Sequence, residues 1–163
     1  MALGPIIRRF LGPRLARRAG EYYRAIYVDL PRVAAALAAV IPRDAHLLDV
    51  GGGDGQPINH LLSLRPDLTI TTLDPAPEVG QWIDARHANQ VKRLPRTSLA
   101  EFVAGPHAHA DVILIADVMH HIPKYARHKF LESVRVLLDR LPSLLIIVKD
   151  VEPGHWRALL SPL

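Results

Sequence analysis

Between Leu47 and Gly55 the chain reads Leu-Leu-Asp-Val-Gly-Gly-Gly-Asp-Gly, an apolar run ending in acid and glycine. Gly51, Gly53 and Gly55 let a backbone take positive φ and approach a ligand without a Cβ clash. A helix launched by such a loop presents free N–H groups and a positive dipole end. Dinucleotide-binding sheets use G-x-G-x-x-G here, with the third glycine packing helix on strand. In this chain Gly51-x-Gly53-x-x leads to Gln56, and an acid, Asp49, stands two positions before the first glycine. Three glycines can also simply make a turn. A second acid, Asp74, ends the next apolar run. In nucleoside-binding sheets an acid there accepts two hydrogen bonds from ribose hydroxyls, and it can also cap the following helix. A third group, Asp117-Val118-Met119-His120-His121, follows the continuously apolar Val112 to Ala116. Ligands of open α/β sheets bind at such strand ends. A histidine there can take a proton from a hydroxyl or amine. The other reading is that one histidine packs on the ligand and the other caps a helix at Pro123.

These segments together resemble class I S-adenosylmethionine-dependent methyltransferases of the small-molecule type. Asp49-x-Gly51-x-Gly53-x-Gly55 is similar to motif I, and Thr71-Thr72-Leu73-Asp74-Pro75 to the second strand end. Asp111 to Pro123 is similar to the fourth-strand motif with its paired histidines. The resemblance runs from about residue 21 to the end. It implies S-adenosyl-L-methionine as cofactor, with a small-molecule methyl acceptor taking the sulfonium methyl on oxygen, nitrogen or carbon. The implied cofactor-binding residues are Asp49, Gly51, Gly52, Gly53, Asp54, Gly55, Asp74, Pro75, Ser98, Asp117, Val118 and Met119. His120 and His121 are the candidate catalytic residues. The charges agree: this cofactor carries an ammonium and a sulfonium and no pyrophosphate, so nearby acid attracts it.

Several positions carry two readings. Many family members place an Asp after the third strand, against the adenine amino group. Ser98 stands near that position, and Ser98-x-x-Glu101 is equally a capping box. The expected site holds no metal. A weaker alternative puts Mg²⁺ between Asp117 and Asp150, as in catechol-type O-methyltransferases; Asp150 can also cap a terminal helix. Asp117 with Lys149 resembles part of the Lys-Asp-Lys-Glu set of RNA ribose methyltransferases. A cluster of His107, His109 and His128 is a further, weak metal candidate. No D-P-P-Y-like segment follows the fourth strand, which sets aside the nucleic-acid amino methyltransferases that grip a flipped base. The rivals are a cofactor-binding module without activity and, less favoured, an NAD-dependent oxidoreductase.

The elements that must position these groups alternate along the chain. Strands are expected at His46–Val50, Leu68–Leu73, Val91–Leu94, Asp111–Ala116 and Leu144–Val148. Helices are expected at Glu21–Val40 (with Pro31 starting a second piece), Gln56–Leu64, Glu78–Ala88, Ser98–Val103, Lys124–Leu141 and from His155. In the Lys124 helix, Phe130, Leu131, Val134, Leu137 and Leu138 form the apolar side. Alternation of this kind implies a Rossmann-like, doubly wound parallel α/β sheet of about five strands. The resemblance adds that the family's last two strands are lacking, so the domain at 21–163 is expected to be C-terminally short. The apolar fifth strand is then an edge that invites a homo-oligomer.

The 163 residues suit one domain, and with no cysteine there is no disulfide, thiolate metal site or cysteine nucleophile. The net charge of +4 is concentrated at the start: residues 1–24 hold six arginines against Glu21, or +5, leaving −1 elsewhere. A near-neutral body argues against a nucleic-acid partner. The basic arm at residues 1–20 is expected to pack on the domain or a partner subunit, with weak membrane-surface contact as the alternative. Gly12-Pro13 interrupts the apolar region an export signal needs, so a cytoplasmic location is expected.

Overall fold

The computed structural model describes residues 29–106 and 108–150. Helix α1 spans Leu30–Val40, with Pro31 in its first turn and the Asp29 carboxylate accepting the Arg32 N–H at 3.0 Å. A proline at this position costs nothing, because the N–H it lacks would have no helical partner. Then follow β1 (His46–Val50), α2 (Gln56–Leu64), β2 (Thr69–Asp74), a short 3₁₀ turn (Ala85–His87) and β3 (Val91–Pro95). The chain continues through α3 (Leu99–Ala104), β4 (Val112–Ala116), α4 (Lys124–Arg140) and β5 (Leu145–Lys149). All pairings are parallel, in the order β3-β2-β1-β4-β5. The expected doubly wound sheet is therefore present, and its strands agree with the sequence reading to within a residue or so at each end. The expected helix pieces before residue 29 and from His155, and the arm, lie outside the described residues. No helix among the described residues is long and apolar enough to cross a membrane.

Strand periodicity divides the core in two. Leu47, Val112 and Leu114 face one side, where they pack with Ile58, Leu61 and Leu62 of α2. Leu48, Val50, Ile113 and Ile115 face the other, against Leu99 and Val103 of α3 and Val134 and Leu137 of α4. Successive strand residues point to opposite faces, so a strand covered on both faces must be apolar throughout, as β4 is. Leu131 departs from expectation: it is 52% exposed, away from the α4 seam.

The helix expected at Glu78–Ala88 does not form. The Gly80 N–H donates to the Gly53 carbonyl at 2.8 Å and the Trp82 N–H to the Asp54 carbonyl at 2.9 Å. A helix over 78–88 would turn the Trp82 donor to the Glu78 carbonyl and leave the Gly80 donor, in its first turn, without a helical partner. Here tertiary partners in the glycine loop take them, and only the turn at Ala85–His87 is helical.

Candidate cofactor and acceptor site

The candidate residues gather along the carboxyl ends of β1, β2 and β4. Leaving β1, the chain crosses toward β2, and the N–H groups of Gly51 and Gly52 both donate to the Leu73 carbonyl, at 2.8 and 3.2 Å. Gly52 sits directly over two side chains. A Cβ there would lie 1.8 Å from Thr72 Oγ1 and 2.4 Å from Asp49 Oδ2, so only glycine fits. Gly53 is the opposite case. It has φ +51 and is exposed, and a Cβ would find nothing nearer than the Gly51 carbonyl at 3.9 Å. Space is open above Gly53 and closed beneath Gly52, as a loop that receives a ligand on one side requires.

Asp49 lies under this loop. It is 7% exposed, and its Oδ2 accepts from Thr72 Oγ1 at 2.8 Å. Burial pushes its carboxyl up to about 6; the Thr72 hydrogen bond pulls it back, and the nearby Asp74 charge pushes it further up. Asp74 is half-buried at the end of β2 and ties the loop to that strand. Its Oδ2 accepts from the Gly53 N–H at 3.3 Å and its Oδ1 from the Ala76 N–H at 2.8 Å. Asp54 Oδ1 accepts the Gln56 N–H at 3.1 Å, and Gly55 is the N-cap of α2.

Beside Gly51 and Pro75 opens a largely apolar cavity of about 380 Å³, walled by Ser98, Leu99, Val118, Ile122 and Phe130 among others. Four of the residues picked from the sequence line it: Gly51, Pro75, Ser98 and Val118. Its α4 wall has no sequence signal that sets it apart from the core. Ala126, Phe130 and Ser133 recur at helical spacing, but the same stripe reads as ordinary core packing. Both halves of the Ser98 capping box are present: Glu101 N–H donates to Ser98 Oγ at 3.2 Å, and Ser98 N–H donates to Glu101 Oε2 at 2.7 Å. The Ser98 hydroxyl also gives its proton to Glu101 Oε2 at 2.6 Å. These hydrogen bonds hold the Glu101 carboxyl below its ordinary value.

The exit of β4 forms the other end of the row. Asp117 takes φ +57, donates its N–H to the Lys149 carbonyl at 2.7 Å and pairs through Oδ2 with the Lys149 ammonium. His120 Nδ1 meets Asp150 Oδ1 at 2.6 Å, and the Met119 N–H donates to Asp150 Oδ2 at 2.7 Å. The His121 ring lies 4.0 Å from that of His120, centroid to centroid. Burial, then the neighbouring His120, holds His121 below its ordinary value. The role of Asp150 toward His120 was not read from the sequence. The only signal was that β4 and β5 ends are neighbours, and that adjacency does not say which side chain Asp150 meets. Asp117 and Asp150 are committed to different partners, Lys149 on one side and His120 with Met119 on the other. Among the described residues no group of three or more His, Asp or Glu is placed to hold a metal ion. His107 lies outside the described residues, while His109 stacks on His46, their ring centroids 6.0 Å apart.

A family model described as a methyltransferase domain matches residues 48–140, more than half of the chain. No curated protein matches it in sequence. Among solved structures it is similar to the plantazolicin methyltransferase BpumL in complex with a pentazolic desmethyl analogue and S-adenosylhomocysteine. That likeness has a TM-score of 0.61 and 20% identity, over 99% of this chain and 62% of that one. A 1,6-didemethyltoxoflavin-N1-methyltransferase of Burkholderia thailandensis, bound to 1,6-didemethyltoxoflavin and S-adenosylhomocysteine, has a TM-score of 0.56 and 22% identity, over 74% of this chain and 52% of that one. A methyltransferase of calicheamicin biosynthesis in its S-adenosylhomocysteine-bound form has a TM-score of 0.56 and 22% identity, over 92% of this chain and 44% of that one. The chain thus spans about half the length of the solved structures it matches, and at these identities the likeness is one of fold. The family match rests on the segment that carries the glycine loop, Asp74 and the β4 exit, and by it the chain belongs to the methyltransferase domain family.

Proposed function

We propose that this chain binds S-adenosylmethionine along the carboxyl ends of β1, β2 and β4 and transfers its methyl group to a small-molecule acceptor. The observation that carries the reading is the continuous row from the glycine loop and Asp74, past the apolar cavity, to the His120–Asp150 pair. The solved structures named above support it, since each holds S-adenosylhomocysteine, one alongside 1,6-didemethyltoxoflavin and one alongside a pentazolic desmethyl analogue.

The residues fit such a ligand. Each Asp74 oxygen accepts one backbone N–H and keeps a further lone pair for a ribose hydroxyl. The apolar cavity suits a flat heterocycle, and Ser98, whose Oγ gives its proton to Glu101 and accepts the Glu101 N–H, lines it with one acceptor position left for an exocyclic amino group. Asp49 contributes charge from beneath the loop rather than by contact. Bound there, S-adenosylmethionine supplies an electrophilic sulfonium methyl.

The chain's own contribution at the reacting end is proton handling. An ionised carboxylate only accepts, so Asp150 fixes the proton of His120 on Nδ1 and leaves Nε2 with a free lone pair. His120 is therefore set to take the proton of an acceptor hydroxyl or amine as it is methylated. His121, whose charged form burial and the neighbouring His120 disfavour, packs beside it.

The test is equilibrium binding of S-adenosylmethionine to wild type and to Asp74→Ala. Loss of two charge-assisted hydrogen bonds is expected to weaken binding by about 2–4 kcal/mol. Unchanged affinity in the variant removes Asp74 from the site and breaks the row on which the reading stands.

A further inference from the structure

Resting on that reading, we infer that Asn59, a residue outside the motifs, is a positioning residue for the cofactor loop. It acts through a strap formed by residues 80–84, where a helix was expected.

Asn59 lies in the first half of α2, the helix that the glycine loop launches. Its side-chain amide is used at both ends: Nδ2 donates to the Trp82 carbonyl at 2.8 Å, and Oδ1 accepts the Asp84 N–H at 2.9 Å. The same strap fastens to the glycine loop from its other side, through Gly80 N–H to the Gly53 carbonyl and Trp82 N–H to the Asp54 carbonyl. Trp82 therefore has its N–H on the loop and its C=O on the helix. The connections close a ring: glycine loop, α2, Asn59, Trp82 and back to Asp54.

The ring orients the loop. A trans peptide holds its C=O and N–H antiparallel. With the Gly53 and Asp54 carbonyls turned to the strap, the Asp54 and Gly55 amides must point the other way. The Gly55 amide then reaches the Gly52 carbonyl at 3.1 Å, closing the turn over Asp49 and Thr72. Packing adds to the constraint, because a Cβ on Gly55 would lie 2.9 Å from Gly80 Cα and 2.4 Å from Ile83 Cγ1. Nothing on this path touches the open side of Gly53, so Asn59 acts on a ligand only by pre-setting the loop. A pre-set loop spends less binding energy on ordering itself.

The experiment compares wild type with Asn59→Leu, similar in size without the hydrogen bonds, and with Asn59→Asp, which keeps the acceptor for the Asp84 N–H and sets a charged oxygen against the Trp82 carbonyl. His60→Ala, an exposed position on the same helix, is the control. Binding of S-adenosylhomocysteine is measured well below the melting range, with amide exchange read at Gly80 and Trp82. Losing two hydrogen bonds is expected to raise Kd about tenfold in Asn59→Leu, and Asn59→Asp is expected to raise it as well. Exchange at Gly80 and Trp82 accelerates in both, and His60→Ala matches wild type. A merely structural Asn59 lowers the melting temperature and leaves Kd and strap exchange unchanged, which overturns the inference. If Asn59→Leu fails to fold, Asn59→Asp decides by the same readings. Wild type that does not bind S-adenosylhomocysteine defeats the functional reading instead; strap exchange in the variants then still decides whether Asn59 holds the strap.

Discussion

Asp49 is a buried carboxylate whose ionisation the fold opposes. Its folded value of about 6 lies above the ordinary 3.8. Between the two values the folded chain holds a proton that the unfolded chain has released. Stability is therefore expected to fall as pH rises from about 4 to about 6, and to be level with respect to this group above that. Asp49→Asn removes the slope, which urea titrations at several pH values measure; an unchanged slope assigns the dependence elsewhere. Affinity for a cationic ligand runs the opposite way in wild type, weakening as pH drops through about 6 and Asp49 is neutralised. At the other end of the row, His120→Ala is expected to cut turnover by about 10²-fold or more, as loss of a general base does, with cofactor affinity retained. A variant that loses cofactor affinity and turnover together makes His120 part of the cofactor seat.

At the scale of elements, what was legible in the sequence was local. The glycine loop, Asp74 and the apolar β4 announce themselves because a loop between strand and helix, or a strand buried on both faces, needs those residue types in one short run. Relations that join distant segments were not legible. Asp150 reaches His120 from the end of another strand, and Asn59 reaches Trp82 across a loop that reads locally as helix. Local propensity lost there to donors captured by the glycine loop. Ser98 shows the limit in one residue: S-x-x-E announces a cap, and the cavity it also lines appears only once α3 and α4 meet. The cap itself is testable. Ser98→Ala is expected to cost about 1 kcal/mol of stability, read from the urea midpoint. No change there would mean that α3 is held by Leu99 and Val103 alone.

For the whole molecule, β5 is one edge of the sheet and β3 the other. Leu145 is 37% and Val148 59% exposed, and among the described residues β5 pairs only with β4. The Leu145 N–H donates inward to the Asp111 carbonyl at 3.0 Å, so the alternate amides, Ile146 and Val148, face outward. An apolar edge whose outer donors meet no strand among the described residues favours association. Light scattering is expected to give a dimer or larger species; a clean monomer at micromolar concentration, with the Ile146 and Val148 amides exchanging freely, contradicts this. The ligand proposed for the carboxyl edge of the sheet remains the decisive point. Titration calorimetry of wild-type protein with S-adenosylmethionine and, separately, with NAD tests it most directly. The account predicts saturable one-to-one binding of S-adenosylmethionine and no heat of binding with NAD, because Gln56 fills the place of the third small residue and Asp49 repels a diphosphate. Binding of NAD with no response to S-adenosylmethionine would contradict it.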